Sequence, residues 1–264
     1  MLDRVEKSWI CVELPSMDYR EVWDLQSHLV AARKERVIDR DLVLFVEHPP
    51  VFTLGSHCGL NNLTVSQGYL KESGISVIRV ERGGDITFHG PGQLVVYPII
   101  DLRAARLPVT GHIEMLEEAM IQTAEAWGVR AERNRRNRGV WVGANKLGSV
   151  GIAVRHGICF HGMAFNVNVS LEPFGWMNPC GLKGVGITSM ERELSRKISM
   201  HQVGETMKRS MESAYNAEFV MTSLSALPES VRHRPTRTGA DGSAEGRQNN
   251  RANTHSSGGD AYAS

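Results

Sequence analysis

The sequence lacks the long apolar segments that mark membrane and secreted proteins. Its longest run of mostly apolar residues, Leu94 to Ile100, is far shorter than the roughly 18 residues that a bilayer span needs. The first residues, Met1 to Glu13, mix charged and apolar side chains and so lack the continuous apolar core of a signal peptide. We therefore expect a cytoplasmic protein with no membrane partner.

The sequence also lacks an excess of charge of either sign. It has 30 Lys+Arg against 29 Asp+Glu, a formal net charge of +1. Domains that bind nucleic acids normally carry a strong basic excess, so a nucleic-acid partner is not expected. The 264 residues, 41% of them apolar, suffice for the core of one large domain or two small ones.

Cysteine is scarce, and its spacing does not match that of a metal site. The four cysteines are Cys11, Cys58, Cys159 and Cys180, with no Cys-x-x-Cys pair, which argues against a disulfide framework, a zinc ribbon or a redox centre. Most free cysteines are small buried hydrophobes. The sequence contains no Gly-x-x-x-x-Gly-Lys-Ser/Thr phosphate loop either, and its histidines and cysteines lack zinc-like spacing, so no cofactor and no metal are predicted.

The composition changes sharply at Pro228. From residue 228 to residue 264 there is no Leu, Ile, Met, Phe or Trp, and there is one Val and one Tyr. Such a segment cannot bury enough apolar surface to offset the entropy lost on ordering. The composition predicts a folded body over residues 1–227 and a disordered low-complexity tail over residues 228–264.

The body mixes a few helical patterns with more numerous strand-like ones. Apolar residues recur at helical spacing in three segments, Asp18–Lys34, His112–Trp127 and Met200–Tyr215. Strand-like runs occupy Leu42–Val46, Ile75–Val80, Leu94–Ile100, Gly139–Val142, Leu147–Val154 and Gly157–Asn168. Strands outnumber helices and do not alternate with them, so the predicted class is α+β, with a mixed, mostly antiparallel sheet and flanking helices.

The segment Arg82–Gln93 is dense in glycine and also contains His89. Paired glycines let a backbone approach a ligand, and their N–H groups can line an anion- or oxyanion-binding concavity. The alternative is two tight turns of a hairpin. Arg82 and His89, which flank the glycines, favour a site.

A second dense segment runs from Gly139 to Met190 and contains Cys180 between a proline and a glycine. Side chains in such turns are exposed rather than packed, an unusual place for an inert thiol. A cysteine becomes a nucleophile when a neighbouring Lys or His stabilises its thiolate. The candidates in glycine-rich surroundings are Lys146, His89 and His161.

Several motifs of the chain, taken together, resemble one known family. The motifs are Glu47–Gly55, Arg82–Gln93, Gly139–Val142, Lys146–Gly151, Phe160–Asn168 and Asn178–Gly181. In this order, over roughly residues 10 to 220, they closely resemble the lipoyl(octanoyl) transferases. The resemblance implies that residues 1–227 form a catalytic domain similar to that of biotin and lipoate protein ligases.

The resemblance also implies an acyltransferase activity that uses no ATP. The reaction is transfer of an octanoyl group from octanoyl-acyl carrier protein to a lysine of lipoyl domains, which begins endogenous protein lipoylation. The implied acceptors are the lipoyl domains of 2-oxoacid dehydrogenases and the glycine cleavage H protein. The alternative is an ATP-dependent lipoate- or biotin-type protein ligase on the same fold.

The family's functional residues can be carried over position by position. The acyl-thioester cysteine falls on Cys180, and the lysine that tunes it falls on Lys146. The substrate-binding segments fall on Arg82, Gly83, Gly84, Asp85, Ile86, Thr87, Phe88 and His89, on Ser149, Val150 and Gly151, and on Gly162, Met163 and Ala164.

One stretch departs from the family by being unusually basic. Arg130, Arg133, Arg135, Arg136 and Arg138 stand against Glu132 alone, a local excess of +4. Acyl carrier proteins and lipoyl domains are typically acidic. This stretch is therefore a candidate docking point for partner proteins, with a merely solvated loop as the alternative.

Overall fold

The computed structural model describes residues 7–56, 62–134, 137–177 and 186–232, apart from the side chains of Gln67 and Ser230. Its helices are α1 (Tyr19–Lys34), α2 (Gln67–Glu72), α3 (Val109–Ala126), α4 (Met190–Leu194), α5 (Met200–Tyr215) and α6 (Glu229–Arg232). Among the described residues, none of the helices has the length and apolarity needed to cross a membrane.

The strands form one large and one small sheet. They are β1 (Lys7–Glu13), β2 (Leu42–Val46), β3 (Val51–Leu54), β4 (Ser76–Arg79), β5 (Ile86–His89), β6 (Gln93–Asp101), β7 (Glu132–Asn134), β8 (Asn137–Val142), β9 (Asn145–Arg155), β10 (Ile158–Asn166), β11 (Gly186–Ile187) and β12 (Ala217–Thr222). The large sheet has the order β12-β1-β2-β6-β10-β9-β8-β7, with β11 also paired to β9; the small sheet has the order β4-β3-β5.

The large sheet is antiparallel at its centre and parallel near one edge. From β2 through β6, β10, β9 and β8 to β7 every neighbour runs antiparallel. The pairs β1–β12, β1–β2 and β11–β9 are parallel. The predicted α+β class with a mixed, mostly antiparallel sheet is confirmed.

Helices cover both sides of the large sheet. Helices α3 and α5 pack over one apolar cluster that includes Met120, Met207 and Met211. Helix α1 covers a second cluster through Val22, Leu25 and Leu29. It begins where Asp18 accepts a hydrogen bond from the Arg20 amide at 2.7 Å, which satisfies one of the orphan donors of its first turn.

The packed chain continues past the boundary predicted at residue 227. Leu227 and Val231 are buried in the cluster under α1, and the His28 ring contacts the Arg232 carbonyl at 3.3 Å. Val231, a single apolar residue in an otherwise polar stretch, packs the short helix α6 against the body. The average composition of the tail does not reveal such a single contact. Residues 228–232 therefore belong with the body, and the rest of the predicted tail lies outside the described residues.

Candidate active site

A pocket of about 550 Å³ is lined by residues of both sheets. The turn before β5 forms one wall, and β6, β9 and β10 form the other. This volume is in the range of sites for small organic groups. Much of the wall is apolar, including Val95, Val150 and Met163.

The pocket brings together the three segments proposed for substrate binding. Its lining includes Arg82, Gly83, Gly84, Asp85, Ile86, Thr87, His89, Ser149, Val150, Gly151, Gly162, Met163 and Ala164. The antiparallel pairing of β9 with β10 sets Gly151 opposite Gly162 and Ser149 opposite Ala164, so two of the segments meet by register. Phe88 lies elsewhere: its ring packs between Phe52 and Phe174 in the core of the small sheet.

Lys146 also lines the pocket, near the start of β9. Its Nζ donates a hydrogen bond to Asn137 Oδ1 at 2.8 Å and lies 5.4 Å from the centre of the Trp141 ring. Both neighbours come from β8, the strand paired beside it. The ammonium group therefore meets an amide oxygen and the face of an indole, two environments that suit a positive charge.

Gly139 leaves room for this lysine. Its φ of +116° is a backbone conformation that side chains rarely adopt. A Cβ there would stand 2.3 Å from the Gly148 carbonyl oxygen and 2.8 Å from Lys146 Cε. Its amide donates to Glu117 Oε1 at 2.8 Å, which ties this point of β8 to α3.

Cys180 lies outside the described residues, within the gap from 178 to 185. Both ends of that gap are at the pocket, because Met177 and Ile187 line it. Ile187 pairs with Lys146 in the parallel β11–β9 ladder, and the Thr188 amide donates to the Lys146 carbonyl at 3.0 Å.

The described cysteines are poor nucleophile candidates. Cys11 and Cys159 are fully buried, and burial raises the pKa of each thiol to about 12. Cys58 and His57 lie outside the described ranges. Within those ranges, no three His, Cys, Asp or Glu side chains come close enough together to hold a metal ion.

Arg82 is a buried cation fixed at the pocket wall. Its Nη2 donates to the Thr53 carbonyl at 2.7 Å and to Thr53 Oγ1 at 2.9 Å, and its Nη1 donates to the Gly83 carbonyl at 3.1 Å. Thr53 Oγ1 also lies 3.4 Å from His89 Nε2. The guanidinium thus shapes the glycine turn at Gly83 and Gly84 that faces the pocket.

His48 and Tyr97 form a second polar pair, of which Tyr97 lines the pocket. His48 Nδ1 lies 2.7 Å from the Met17 carbonyl, so it carries the proton, and Nε2 accepts from the Tyr97 hydroxyl at 2.9 Å. Burial lowers the pKa of His48 to about 4 and raises that of Tyr97 well above its usual value. Both groups are therefore neutral at neutral pH.

His161 is the third histidine near the pocket, after His48 and His89. Its ring is buried, and neither ring nitrogen has a hydrogen-bond partner within the described structure. Glu81 Oε2 lies 3.7 Å from Nε2, too far for a hydrogen bond. Burial lowers the pKa of His161, which favours the neutral ring at neutral pH.

The basic stretch is less charged in space than along the chain. Arg133 forms ion pairs with Glu118 at 2.6 Å and Glu117 at 3.5 Å, and Arg138 pairs with Glu117 at 3.3 Å. Arg130 is exposed, and Arg135 and Arg136 lie outside the described residues. Two carboxylates of α3, Glu117 and Glu118, thus reduce the local excess from +4 to +2. They lie outside residues 130–138, so a count along that stretch omits them.

Several lining residues were not predicted from the sequence. Asn137, which holds the Lys146 ammonium, gives no local pattern that would single it out. Tyr97 could have been found, because its hydroxyl interrupts a buried apolar strand and must find a polar partner there. Tyr19 and Ile113 reach the pocket from α1 and α3 and resemble ordinary core positions in sequence.

A family model, described as the lipoyl protein ligase A/B catalytic domain, matches residues 18–212. The chain belongs to this family. An octanoyltransferase of Desulfotalea psychrophila is 45% identical over 218 residues, covering 82% of this chain and 98% of that relative. One of Syntrophobacter fumaroxidans is 45% identical over 192 residues, covering 73% and 84%. The predicted lipoyl(octanoyl) transferase family and acyltransferase class are confirmed.

Two solved structures share the fold. A lipoate-protein ligase A bound with ATP superimposes with a TM-score of 0.68 at 17% identity, covering 86% of this chain and 91% of that one. A lipoate protein ligase from T. acidophilum with bound lipoic acid gives 0.64 at 18% identity, covering 86% and 92%. The predicted likeness to lipoate ligase catalytic domains is thus confirmed at the level of fold.

Proposed function

We propose that this protein transfers an octanoyl group from octanoyl-acyl carrier protein to a lysine of lipoyl domains, through a thioester on Cys180. The acceptors are the lipoyl domains of 2-oxoacid dehydrogenases and the glycine cleavage H protein. The main support is the position of Lys146. It lines an apolar pocket beside Ile187, where the chain emerges from the segment that contains Cys180.

The pocket suits a fatty acyl chain because much of its lining is apolar. Val95, Val150, Ile152, Met163 and Phe174 offer apolar surface to a hydrocarbon tail. The glycine positions Gly83, Gly151 and Gly162 expose backbone rather than side chains, which leaves space for the acyl group. Each methylene buried there contributes about 0.8 kcal/mol to binding.

In the first half-reaction the Cys180 thiolate attacks the carbonyl carbon of the carrier's thioester. The new carbon–sulfur bond forms, the carrier's own carbon–sulfur bond breaks, and the carrier leaves with the sulfur and a proton from the Lys146 ammonium. One thioester replaces another, so the step is nearly neutral in free energy. Lys146 stabilises the thiolate as its ammonium, held in place by Asn137 and Trp141.

In the second half-reaction the acceptor lysine attacks the Cys180 thioester as a free amine. An amide bond forms, the thioester bond breaks, and the thiol of Cys180 is restored. The step is downhill because an amide is more stable than a thioester, so no nucleotide is required. Lys146, left neutral when its proton goes to the carrier's sulfur, is the proposed acceptor of the proton that the attacking amine loses.

The decisive experiment is intact mass after mixing the protein with octanoyl-acyl carrier protein. The native chain gains one octanoyl group, and Cys180→Ala does not. Cys159→Ala is the matched control, because that thiol is buried and its pKa is raised by burial, so this variant keeps the adduct. An adduct that persists in Cys180→Ala overturns the assignment.

The role of Lys146 is tested by the pH dependence of thiol alkylation. Lys146→Ala should move the iodoacetamide profile of Cys180 to higher pH, since the thiolate loses its cation. Lys71→Ala, on exposed helix α2, should leave the profile in place. An unchanged profile in Lys146→Ala contradicts the proposed pairing.

The ATP-dependent ligase is distinguished by exchange of pyrophosphate into ATP with free octanoate. A ligase forms an acyl adenylate and catalyses this exchange. The proposed transferase gives none, because it draws its acyl group from a thioester. Exchange above background would favour the ligase.

We further propose that the arginine stretch from 130 to 138 assists docking of acidic protein substrates. Arg138 lines the pocket, and exposed Arg130 lies on the same stretch. Rates of transfer should fall with added salt and with Arg135 and Arg136 changed to Glu, because both weaken attraction to an acidic surface. Rates that respond to neither change would remove this role.

A further inference from the structure

A chain of buried hydrogen bonds connects the pocket wall to the main chain of Lys146. His89 Nδ1 lies 2.8 Å from Gln93 Oε1, and Gln93 Nε2 lies 2.9 Å from Asn166 Oδ1. Asn166 Nδ2 donates to the Thr188 carbonyl at 3.0 Å, and the Thr188 amide donates to the Lys146 carbonyl at 3.0 Å. His89, Gln93, Asn166 and Thr188 are all buried.

The direction of every bond in this chain is determined by its neighbours. Gln93 Nε2 also donates to the Phe88 carbonyl at 3.2 Å, so the atom of this side-chain amide that faces His89 is Oε1. His89 therefore carries its proton on Nδ1, and Nε2 is free to accept from the Thr53 hydroxyl. Asn166 must then point its oxygen at Gln93 and its amino group at Thr188.

Asn166 lies where the strand that pairs with β9 changes from β10 to β11. Strand β10 ends at Asn166 after pairing Phe165 with Gly148, and β11 pairs with Asn145 and Lys146 beyond it. β11 has two residues, and its ladder with β9 is correspondingly short. The bond from Asn166 to Thr188 fixes the end of this short strand to the end of a long one.

Thr188 is held from two further directions. Its hydroxyl donates to Glu193 Oε1 at 2.5 Å, and the next residue, Ser189, caps α4 by accepting from the Arg192 amide at 3.3 Å. Without the Asn166 side chain, the Thr188 carbonyl oxygen would be a buried acceptor that lacks this donor, and an unsatisfied buried acceptor destabilises the local structure. A shift of β11 away from β9 is the smallest rearrangement that would relieve this destabilisation.

We propose that Asn166 is a positioning residue, which holds β11 against the Lys146 strand and thereby sets the register between Lys146 and the chain that leads back to Cys180. This inference rests on the proposed function of Cys180 and Lys146. Asn166 lies behind the pocket wall rather than in it, so acyl binding does not depend on it directly. Its loss should act on the chemical step more than on substrate affinity.

The test is Asn166→Asp, which keeps size and the oxygen toward Gln93 but replaces the donor that faces the Thr188 carbonyl. Asn168→Asp is the matched control. The Asn168 amide also donates to a main-chain carbonyl, that of Ile198 at 2.7 Å, and accepts from the Ile198 amide at 3.1 Å, away from β11. Both variants lose one donor to a backbone oxygen and gain a carboxylate, at a buried position in Asn166→Asp and at a part-buried position in Asn168→Asp.

The measurements are single-turnover acylation by octanoyl-acyl carrier protein and the alkylation pH profile of Cys180. In Asn166→Asp the rate at saturating donor should fall about 10- to 100-fold, as misplacement of catalytic groups does, while half-saturation stays within about twofold. The thiol profile should move to higher pH. Asn168→Asp should keep both the rate and the profile near those of the native protein.

Two results would overturn the inference. One is a loss of rate that is equal in the two variants; the other is a native thiol profile and rate in Asn166→Asp. If Asn166→Asp does not fold, Asn166→Ser, which shortens the donor without adding charge, is measured with the same criteria against Asn168→Ser. Failure of the proposed function is distinguishable, because it appears as an adduct that survives Cys180→Ala.

Discussion

Two regions of the protein are buried: the layer formed by α3 and α5, and the side that contains the pocket. They differ in the kind of side chain that they bury. Under α3 and α5 the contacts are mostly those of apolar side chains such as Leu116, Met120 and Met207. On the pocket side the buried groups include Arg82 and His89, joined by hydrogen bonds.

This difference predicts which amino-acid substitutions each region tolerates. Apolar contact is non-directional, so a side chain of similar volume can replace another at small cost. A buried hydrogen bond needs a donor facing an acceptor, and an isosteric change of polarity leaves one partner unsatisfied. Size should therefore govern the α3–α5 layer, and polarity should govern the pocket side.

The largest loss of stability is expected for Arg82→Met on the pocket side. The substitution keeps much of the apolar stem but leaves the Thr53 carbonyl and hydroxyl without their donor, at a cost of about 4 kcal/mol in the free energy of unfolding. Urea denaturation measures it. Arg155→Met is the control, because that half-exposed guanidinium pairs with Glu81 at the surface and should cost less than about 1 kcal/mol. Equal losses in the two variants would contradict the comparison.

A somewhat smaller loss is expected for Met207→Ala in the α3–α5 layer. Met207 is fully buried in the apolar cluster, and truncation leaves a cavity that costs about 3 kcal/mol. Met207→Leu nearly conserves volume and should cost less than about 1.5 kcal/mol. Thermal and urea unfolding of the pair test whether size alone decides here. A leucine variant as unstable as the alanine variant would argue against a tolerant layer.

Acid should destabilise both regions through their buried histidines. Burial lowers the pKa of His48, on the pocket side, and of His112, on α3, to about 4. Below pH 6.5, the ordinary pKa of histidine, these side chains are protonated in the unfolded chain. In the folded chain they stay neutral until about pH 4. Stability is therefore complete above pH 6.5 and falls as the pH drops through this window, by about 2 kcal/mol per histidine at pH 5.

The contribution of His112 can be separated by substitution. The difference in unfolding free energy between pH 7.5 and pH 5 should shrink by about 2 kcal/mol in His112→Gln. Exposed His201→Gln should leave that difference as it is. A pH dependence that is the same in both variants would show that His112 titrates normally when folded.

The smallest effect is expected at the surface, where neither region's rule applies. Arg133→Gln removes ion pairs with Glu117 and Glu118, but the arginine is 42% exposed, and water screens its charge. The cost in unfolding free energy should be about 0.5 kcal/mol and should shrink with added salt. Glu117→Gln should cost more, because that side chain is 2% exposed and accepts the Gly139 amide. The reverse order would be inconsistent with the burial of Glu117.

The long periodic elements were predictable because their apolar spacing is local. Helix α5 has the bounds expected from its apolar spacing, and β2 matches the predicted Leu42–Val46. Helix α1 begins at Tyr19, one residue after the start of the predicted segment Asp18–Lys34. In these segments burial, propensity and capping favour the same structure, so a single sequence suffices.

The elements that were not predicted depend on distant partners. Strands β1 and β12 lie some two hundred residues apart and pair in parallel, Lys7 with Ala217. The buried apolar run of β1, Trp9 to Val12, is only four residues long, and Glu218 and other exposed residues interrupt β12, so neither carries a clear pattern alone. The short strands β3 and β5 are defined mainly by pairing with each other in the small sheet. Their hydrogen bonds exist only when another part of the chain supplies the second strand.

The sequence alone determined the fold class, the three long helices and the segments that line the pocket. These features follow from residue type and spacing, and from motifs that resemble one family. The placement of Asn137 beside Lys146, the ion pairs that offset the basic stretch, and the bonds from His89 to Thr188 were decided by tertiary structure. Each of them joins residues on different elements, and the donor and acceptor of a hydrogen bond between elements are matched only once the sheet register has been set.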